Sequence, residues 1–131
     1  MFLTILCPSL VAAQWQGKVV NVVSGDQYQV KKPSGKTVEV RLYGIACPGN
    51  GQPYENEATI AVANKLVNRR VKVKKVETGL YDRVIAKVFH KSIMINQWLL
   101  RKGLAWVFSK YCKKSFCDRW KAIQERKKAS G

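Results

Sequence analysis

Five short strand-forming segments, a helix set between the third and the fourth, and two helices near the C-terminal end predict an α+β domain, a five-stranded Greek-key β-barrel of the OB type with about three helices. Two further observations fix its size and state. The chain has 131 residues, enough for one hydrophobic core and too few for two ordinary ones. Its apolar residues, 47% of the total, are spread between turn signals, whereas a disordered chain is poor in them. No repeat, low-complexity tract or linker divides the chain, so residues 14–131 are expected to form one domain.

The elements follow from local chemistry. Trp15 to Val23 is rich in valine and stops at Ser24-Gly25-Asp26, a turn signal. A second strand, Tyr28 to Lys32, leads through Pro33-Ser34-Gly35-Lys36 into Thr37 to Leu42, where apolar and polar residues alternate. That alternation points Val38, Val40 and Leu42 at the core and Arg41 away from it. Gly44 to Pro53 holds three glycines and two prolines and reads as a surface loop. From Glu55 to Val67, Ala58, Ala61, Val62 and Leu66 recur at helical spacing and give one buried stripe. Val71 to Val76 alternates as a fourth strand, and the turn Thr78 to Asp82 joins it to a fifth, Val84 to Phe89. Asn96 is a candidate N-cap for a helix over Gln97 to Lys102, with Gly103 as its left-handed stop and Leu104 making the contact beyond it. Phe116, Trp120 and Ile123 fall at i, i+4 and i+7, the buried stripe of a last helix.

Lys and Arg number 24 against 8 Asp and Glu, a formal charge of +16, and the excess is distributed along the whole chain. Such a surface favours a polyanion, and single-stranded DNA or RNA is the expected partner ahead of an anionic membrane. No stretch after the N-terminus approaches the ~20 apolar residues of a membrane span. No obligate protein partner is called for, and a monomer is expected.

Phe2 to Leu10 is a short apolar run followed by the small residues Ala12 and Ala13, so residues 1–13 read as an export signal and the protein as secreted or periplasmic. The run lacks a preceding Lys or Arg and contains Pro8, departures from an ordinary signal. Beyond Cys7, three cysteines remain. Cys112 and Cys117 are close enough to close a small loop as a disulfide in an oxidising compartment, which leaves Cys47 as an odd thiol; a bridge from Cys47 to either is the alternative. Their spacing and the single histidine, His90, argue against a zinc site.

Several segments together resemble one family. Val-Val-Ser-Gly-Asp at 22–26, Arg-Leu-Tyr-Gly-Ile-Ala-Cys-Pro-Gly at 41–49, Gln-Pro-Tyr-Glu-Asn-Glu-Ala at 52–58, Leu-Tyr-Asp-Arg at 80–83 and Asn-Gln-Trp-Leu-Leu-Arg-Lys-Gly-Leu-Ala-Trp-Val at 96–107 are similar, in order, to the thermonuclease (staphylococcal-nuclease-like) domains. The resemblance runs from Val20 to about Ile123. It implies an OB-type barrel that cuts phosphodiesters with one calcium ion. It also implies roles: Asp26 as a metal ligand, Arg41 and Arg83 as the catalytic pair that binds the phosphate and steadies its charge, Tyr81 and Tyr111 as residues flanking the nucleotide. Chemistry agrees with those roles, because a carboxylate suits a hard cation, guanidinium forks match phosphate oxygens and aromatic rings stack on bases.

The departures from the family pattern fall on the same chemistry. Ala46 stands where the second metal-binding aspartate belongs, and Gly49 where the glutamate that activates the attacking water belongs. Ser24, Gly79 and Asp82 replace the first acid of the turn, the acid before the tyrosine and the glycine before the arginine. A nucleic-acid-binding domain with calcium-dependent hydrolysis lost or strongly reduced is therefore expected, and any calcium site is expected to be weak. The rival expectations are a nuclease with a relocated base, Glu55 and Glu57 being the nearest downstream acids, and a basic domain that holds an acidic protein.

Overall fold

The computed structural model describes residues 14–130. The expected export segment, residues 1–13, lies outside the described residues. The elements are β1 (Gln14–Ser24), β2 (Gln27–Lys31), β3 (Thr37–Leu42), β4 (Ile45–Ala46), α1 (Glu55–Leu66), β5 (Arg70–Thr78), a 3₁₀ turn (Leu80–Asp82), β6 (Val84–His90), β7 (Ile93–Met94), α2 (Ile95–Arg101), β8 (Trp106–Val107) and α3 (Cys117–Ala129). Strands β3-β2-β1-β5-β6 are joined in that order, all antiparallel, and a parallel pairing of β3 with β6 closes the ring. The expected five-stranded barrel with three helices is the fold.

Alternation fills the barrel. Val19, Tyr28, Val30, Val40, Leu42, Val71, Val73, Ala86 and Val88 point inward and are essentially inaccessible, and the stripe Ala58, Val62 and Leu66 of α1 is buried with them. Fully burying one such valine or leucine contributes about 1.5–3 kcal/mol, so this shared core dominates the stabilising side of folding. The β1–β2 hairpin turns at Gly25 and Asp26, where an added Cβ on Gly25 would come within 2.7 Å of Cys47 Sγ and 3.1 Å of Ala58 Cβ. Glycine is thus required there by close approach, and the contact seats the β1–β2 turn on the loop after β4 and on α1.

A second layer is built from α2, α3 and the small β4–β8 sheet, around Ile95, Leu99, Leu100, Trp120 and Ile123. Phe116, Trp120 and Ile123 form the expected stripe, with Phe116 stacked at a tilt 4.7 Å from Trp120. Helix α2 ends as a Schellman motif: Gly103 has φ +71°, its N–H donates to Leu100 O, and the Leu104 N–H donates to Leu99 O. Cys112 and Cys117 are disulfide-bonded and Cys47 is a buried free thiol.

Asn96 is not the N-cap. Helix α2 starts at Ile95 directly from β7, its N-cap Met94 makes no side-chain cap bond, and Asn96 lies one residue inside with no exposed surface. Its amide latches the helix to the barrel, accepting the Val88 N–H and donating to the carbonyls of Tyr43 and Ala86. The buried position needs donor and acceptor at once, and an amide side chain supplies both. Among the described residues no helix is long and apolar enough to cross a membrane.

Candidate functional site

The barrel opens a cleft of about 320 Å³ where β3 runs beside β6. Arg41, Arg83, Glu77, Leu80 and Tyr111 line it, with Tyr43 in its wall. Arg41 is on the outward face of β3, opposite Ile85 of β6. Arg83 closes a tight loop just before β6: the Gly79 N–H donates to Arg83 O at 2.7 Å and the Arg83 N–H to Leu80 O at 3.1 Å. That loop turns through Tyr81 and Asp82, both left-handed at φ +57° and +61°. Non-glycine residues rarely occupy this region, and Asp tolerates it better than most.

The expected site residues are not all in one place. Arg41, Arg83 and Tyr111 share the cleft, Tyr111 packing edge-on to Phe108 at 4.7 Å. Tyr81 stands at the tip of the 79–83 loop, 96% exposed and outside the cleft lining. Asp26 lies beneath Arg41, 6% exposed, and meets the site only through that arginine, Oδ2 to Nη2 at 3.6 Å. Its remaining contacts are internal: the Cys47 N–H donates to Oδ2 at 3.1 Å and the Ser24 hydroxyl to Oδ1 at 2.9 Å. Oδ1 is thus bonded within the β1–β2 turn, and Oδ2 holds that turn against the chain leaving β4.

Burial keeps two neighbours of Asp26, Cys47 and Tyr28, uncharged. The Cys47 thiol is pushed far above its ordinary range by burial first and by Asp26 second, with Arg41 opposing. Burial, then Cys47 and Asp26, likewise raise the Tyr28 phenol, whose hydroxyl donates to Gly25 O at 2.6 Å. Neither group is an anion near neutral pH, so neither is a ready base.

Calcium takes 6–8 oxygen ligands. Here Ala46 is buried and paired with Trp106 across β4–β8, and Gly49 lies in the exposed loop with its N–H donating to Gln52 Oε1 at 2.6 Å. Neither side chain brings an oxygen. Among the described residues no three His, Cys, Asp or Glu gather as a metal-holding group. One carboxylate already occupied by two hydrogen bonds and a guanidinium does not fit a resident calcium ion.

Glu55 and Glu57 do not line the cleft; Glu55 Oε1 accepts the Gly51 N–H and tethers the loop, and Glu57 is exposed on α1. The acid in the cleft is Glu77, which sequence reasoning passed over. A bulge between Lys75 and Glu77 shifts the alternation of β5 and sets Glu77 opposite Ile85. The available signal was Lys74-Lys75, which breaks the period two that precedes it.

Comparison with known proteins agrees with this geometry. The model of the family described as staphylococcal nuclease homologues matches residues 39–130. A protein of Escherichia coli named an uncharacterized endonuclease is 31% identical over 103 residues, covering 78% of this chain and 67% of that protein. The micrococcal nuclease of Shigella flexneri is 25% identical over 125 residues, 88% of this chain and 71% of its own. A probable staphylococcal-like nuclease of Oryza sativa subsp. japonica is 26% identical over 85 residues, which are 26% of that longer protein. With the closed barrel, the cleft arginines and a family match over most of its length, this chain belongs to the family of staphylococcal nuclease homologues.

Proposed function

We propose that the domain binds single-stranded DNA or RNA in the cleft between β3 and β6, as a monomer, and that its calcium-dependent hydrolysis is lost or strongly reduced. The observation that carries this reading is the state of the cleft: two guanidinium groups and an exposed tyrosine are placed to bind phosphate and base, while the carboxylate beneath them is buried and bonded to Ser24, Cys47 and Arg41. Guanidinium forks bind phosphate without a metal. Export to an oxidising compartment is part of the proposal, and the Cys112–Cys117 bridge supports it. The relatives' names, endonuclease and nuclease, support phosphodiester polymers as the ligand class.

The test restores what is missing. A positioned base contributes ~10²–10⁴ in rate, so Ala46→Asp combined with Gly49→Glu is expected to raise calcium-stimulated cleavage of single-stranded DNA by at least ~10²-fold over the parent. Position 49 admits the glutamate, because an added Cβ meets only Gln52 Oε1, at 3.7 Å. The double variant should also gain thermal stability with calcium, by about 2.7 kcal/mol at 100 times Kd, whereas the parent should gain none. Vigorous cleavage by the parent protein overturns the reading.

Glu77 supports a second reading, a hydrolase with a relocated base, because among the described residues it is the one carboxylate lining the cleft with both arginines. Glu77→Gln decides between them: parent activity that this change abolishes assigns Glu77 as the base, and parent activity that survives it removes the second reading.

A further inference from the structure

The outward face of the sheet carries a second concentration of charge, set out in rows by strand register. Lys18 of β1 is paired with Lys31 of β2 on one side and with Arg70 of β5 on the other, so three exposed cations stand on neighbouring strands. Directly opposed side chains have Cβ atoms about 4.5–5.5 Å apart. In the next row Lys72 stands between Gln16 and Phe89, and in the next Lys74 faces Lys87. After the bulge comes the row of Glu77, Ile85 and Arg41, which is the cleft itself. At about 3.3 Å per residue, the strand from Glu77 back to Arg70 covers roughly 23 Å.

Like charges directly opposite one another destabilise a sheet. This sheet neutralises a row elsewhere: Asn21 donates to Gln29, and Gln29 and Gln27 both donate to Glu39. Among the described residues, Lys18, Lys31, Arg70, Lys72 and Lys74 have no ion-pair partner. Two shallow grooves meet at Arg70, one running past Lys18 and Lys31 and the other past Lys72. Crowding is evident at Lys87, whose ammonium is held below its usual range by burial first and by Lys74 second.

From the Arg41 row to the Arg70 row the cations are strung over about 23 Å, too far to converge on one small anion. They match a polymer with a phosphate at every step, in line with the cleft. We propose that these rows form a phosphate track that holds the nucleic-acid strand where it leaves the cleft, engaging Lys74 and Lys72 first and the Lys31, Lys18 and Arg70 row last. The proposal rests on the nucleic-acid reading of the cleft. It assigns the track to backbone charge alone, so it carries no base preference.

The test compares oligodeoxynucleotides of about 4 and about 16 nucleotides, the range of site sizes for one OB fold, by fluorescence anisotropy at several salt concentrations. Combining Lys18→Gln, Lys31→Gln, Arg70→Gln and Lys72→Gln should leave the short strand's affinity unchanged. For the long strand, the slope of log affinity against log salt should fall by about 0.7 per lost contact, close to 3 in all. Single changes such as Lys31→Gln keep the test valid if the fourfold variant is unstable, each removing about 0.7 from the slope. A control with Lys121→Gln and Arg126→Gln on the exposed side of α3 should bind both strands as the parent does. An equal loss per charge in that control, or a fourfold variant with the parent's slope, overturns the track. So does an unchanged slope accompanied by lost binding to phosphatidylserine vesicles, which would assign the face to a membrane. Failure of the parent to bind either length instead refutes the nucleic-acid reading itself, and the track with it.

Discussion

Asp26 offers the sharpest test of what the site has become, because two roles for its carboxylate predict opposite signs. Replace it by alanine and measure urea unfolding in EDTA. The Cys47 N–H loses a charged acceptor in a buried place, at about 1.5–3 kcal/mol. The Ser24 hydroxyl, partly buried, re-bonds to water and loses about 0.5–1 kcal/mol. Arg41 lies 3.6 Å away with its side chain 31% exposed, so water replaces most of that interaction and up to about 1 kcal/mol is lost. The total is about 3 kcal/mol, a large share of the 5–15 kcal/mol typical of a domain. With an m-value near 1.5 kcal/mol/M it lowers the urea midpoint by about 2 M. Asp26→Asn, which keeps one acceptor oxygen, should lose roughly half as much. A carboxylate held chiefly for a metal behaves in the opposite way: without the ion it brings uncompensated negative charge, and removing it is neutral or stabilising in EDTA. An unchanged or raised midpoint for Asp26→Ala would therefore refute the structural assignment and return Asp26 to the role of a waiting ligand.

Three further outcomes follow from the packing. Asn96→Leu strands the Val88 N–H and the Tyr43 carbonyl in the core, the Ala86 carbonyl keeping the Tyr43 N–H, and should cost about 3 kcal/mol in chemical denaturation; a loss below 1 kcal/mol would mean that the latch is redundant. Opening the Cys112–Cys117 bridge by Cys112→Ser with Cys117→Ser should cost about 2 kcal/mol, the loop-closure value for so short a loop, and a reducing agent should lower the parent's midpoint by a like amount while leaving the variant's alone. The Cys47 thiol stays protonated in the folded chain but ionises near pH 8.5 when unfolded, so the unfolded state binds fewer protons and stability falls as pH rises from about 8.5. Between pH 8.5 and 9.5 the decline should approach about 1.4 kcal/mol per pH unit and should be much smaller in Cys47→Ala, where the buried Tyr28 phenol adds a decline of its own only towards pH 10; equal slopes in the two proteins would contradict it.

What the sequence disclosed was what short-range chemistry determines. Strands β1, β2, β3, β5 and β6 announce themselves by alternation, and α1 and α3 by their buried stripes, because neighbours along the chain set those patterns. The parallel pairing of β3 with β6 that closes the barrel and shapes the cleft joins residues about forty positions apart and leaves no local mark. Strands β4 and β8 are two residues each, too short to show a period, and their pairing is what buries Ala46. Asn96 carries the composition of a cap but is spent on tertiary hydrogen bonds, which only the assembled core reveals. Glu77 enters the cleft through a bulge, a one-residue slip that reverses which face a side chain occupies.

The same physics links the two absent acids to the state of the acid that remains. Among the described residues Arg41 meets one anion, Asp26, and its guanidinium leans on that carboxylate. A divalent cation at Asp26 would share the carboxylate with the Cys47 N–H and the Ser24 hydroxyl and would place its charge beside a guanidinium. Additional carboxylates at 46 and 49 would offset that repulsion; alanine and glycine do not. Arg83 has no carboxylate within ion-pair distance among the described residues, so its charge remains available to a phosphate oxygen. The two arginines thus suit the cleft to holding a polyanion, which is the part of the proposed function that needs no metal. Arg41 and Arg83 are positioned by β3 and by the 79–83 loop, so the proposed phosphate grip depends on the barrel itself and not on a bound ion.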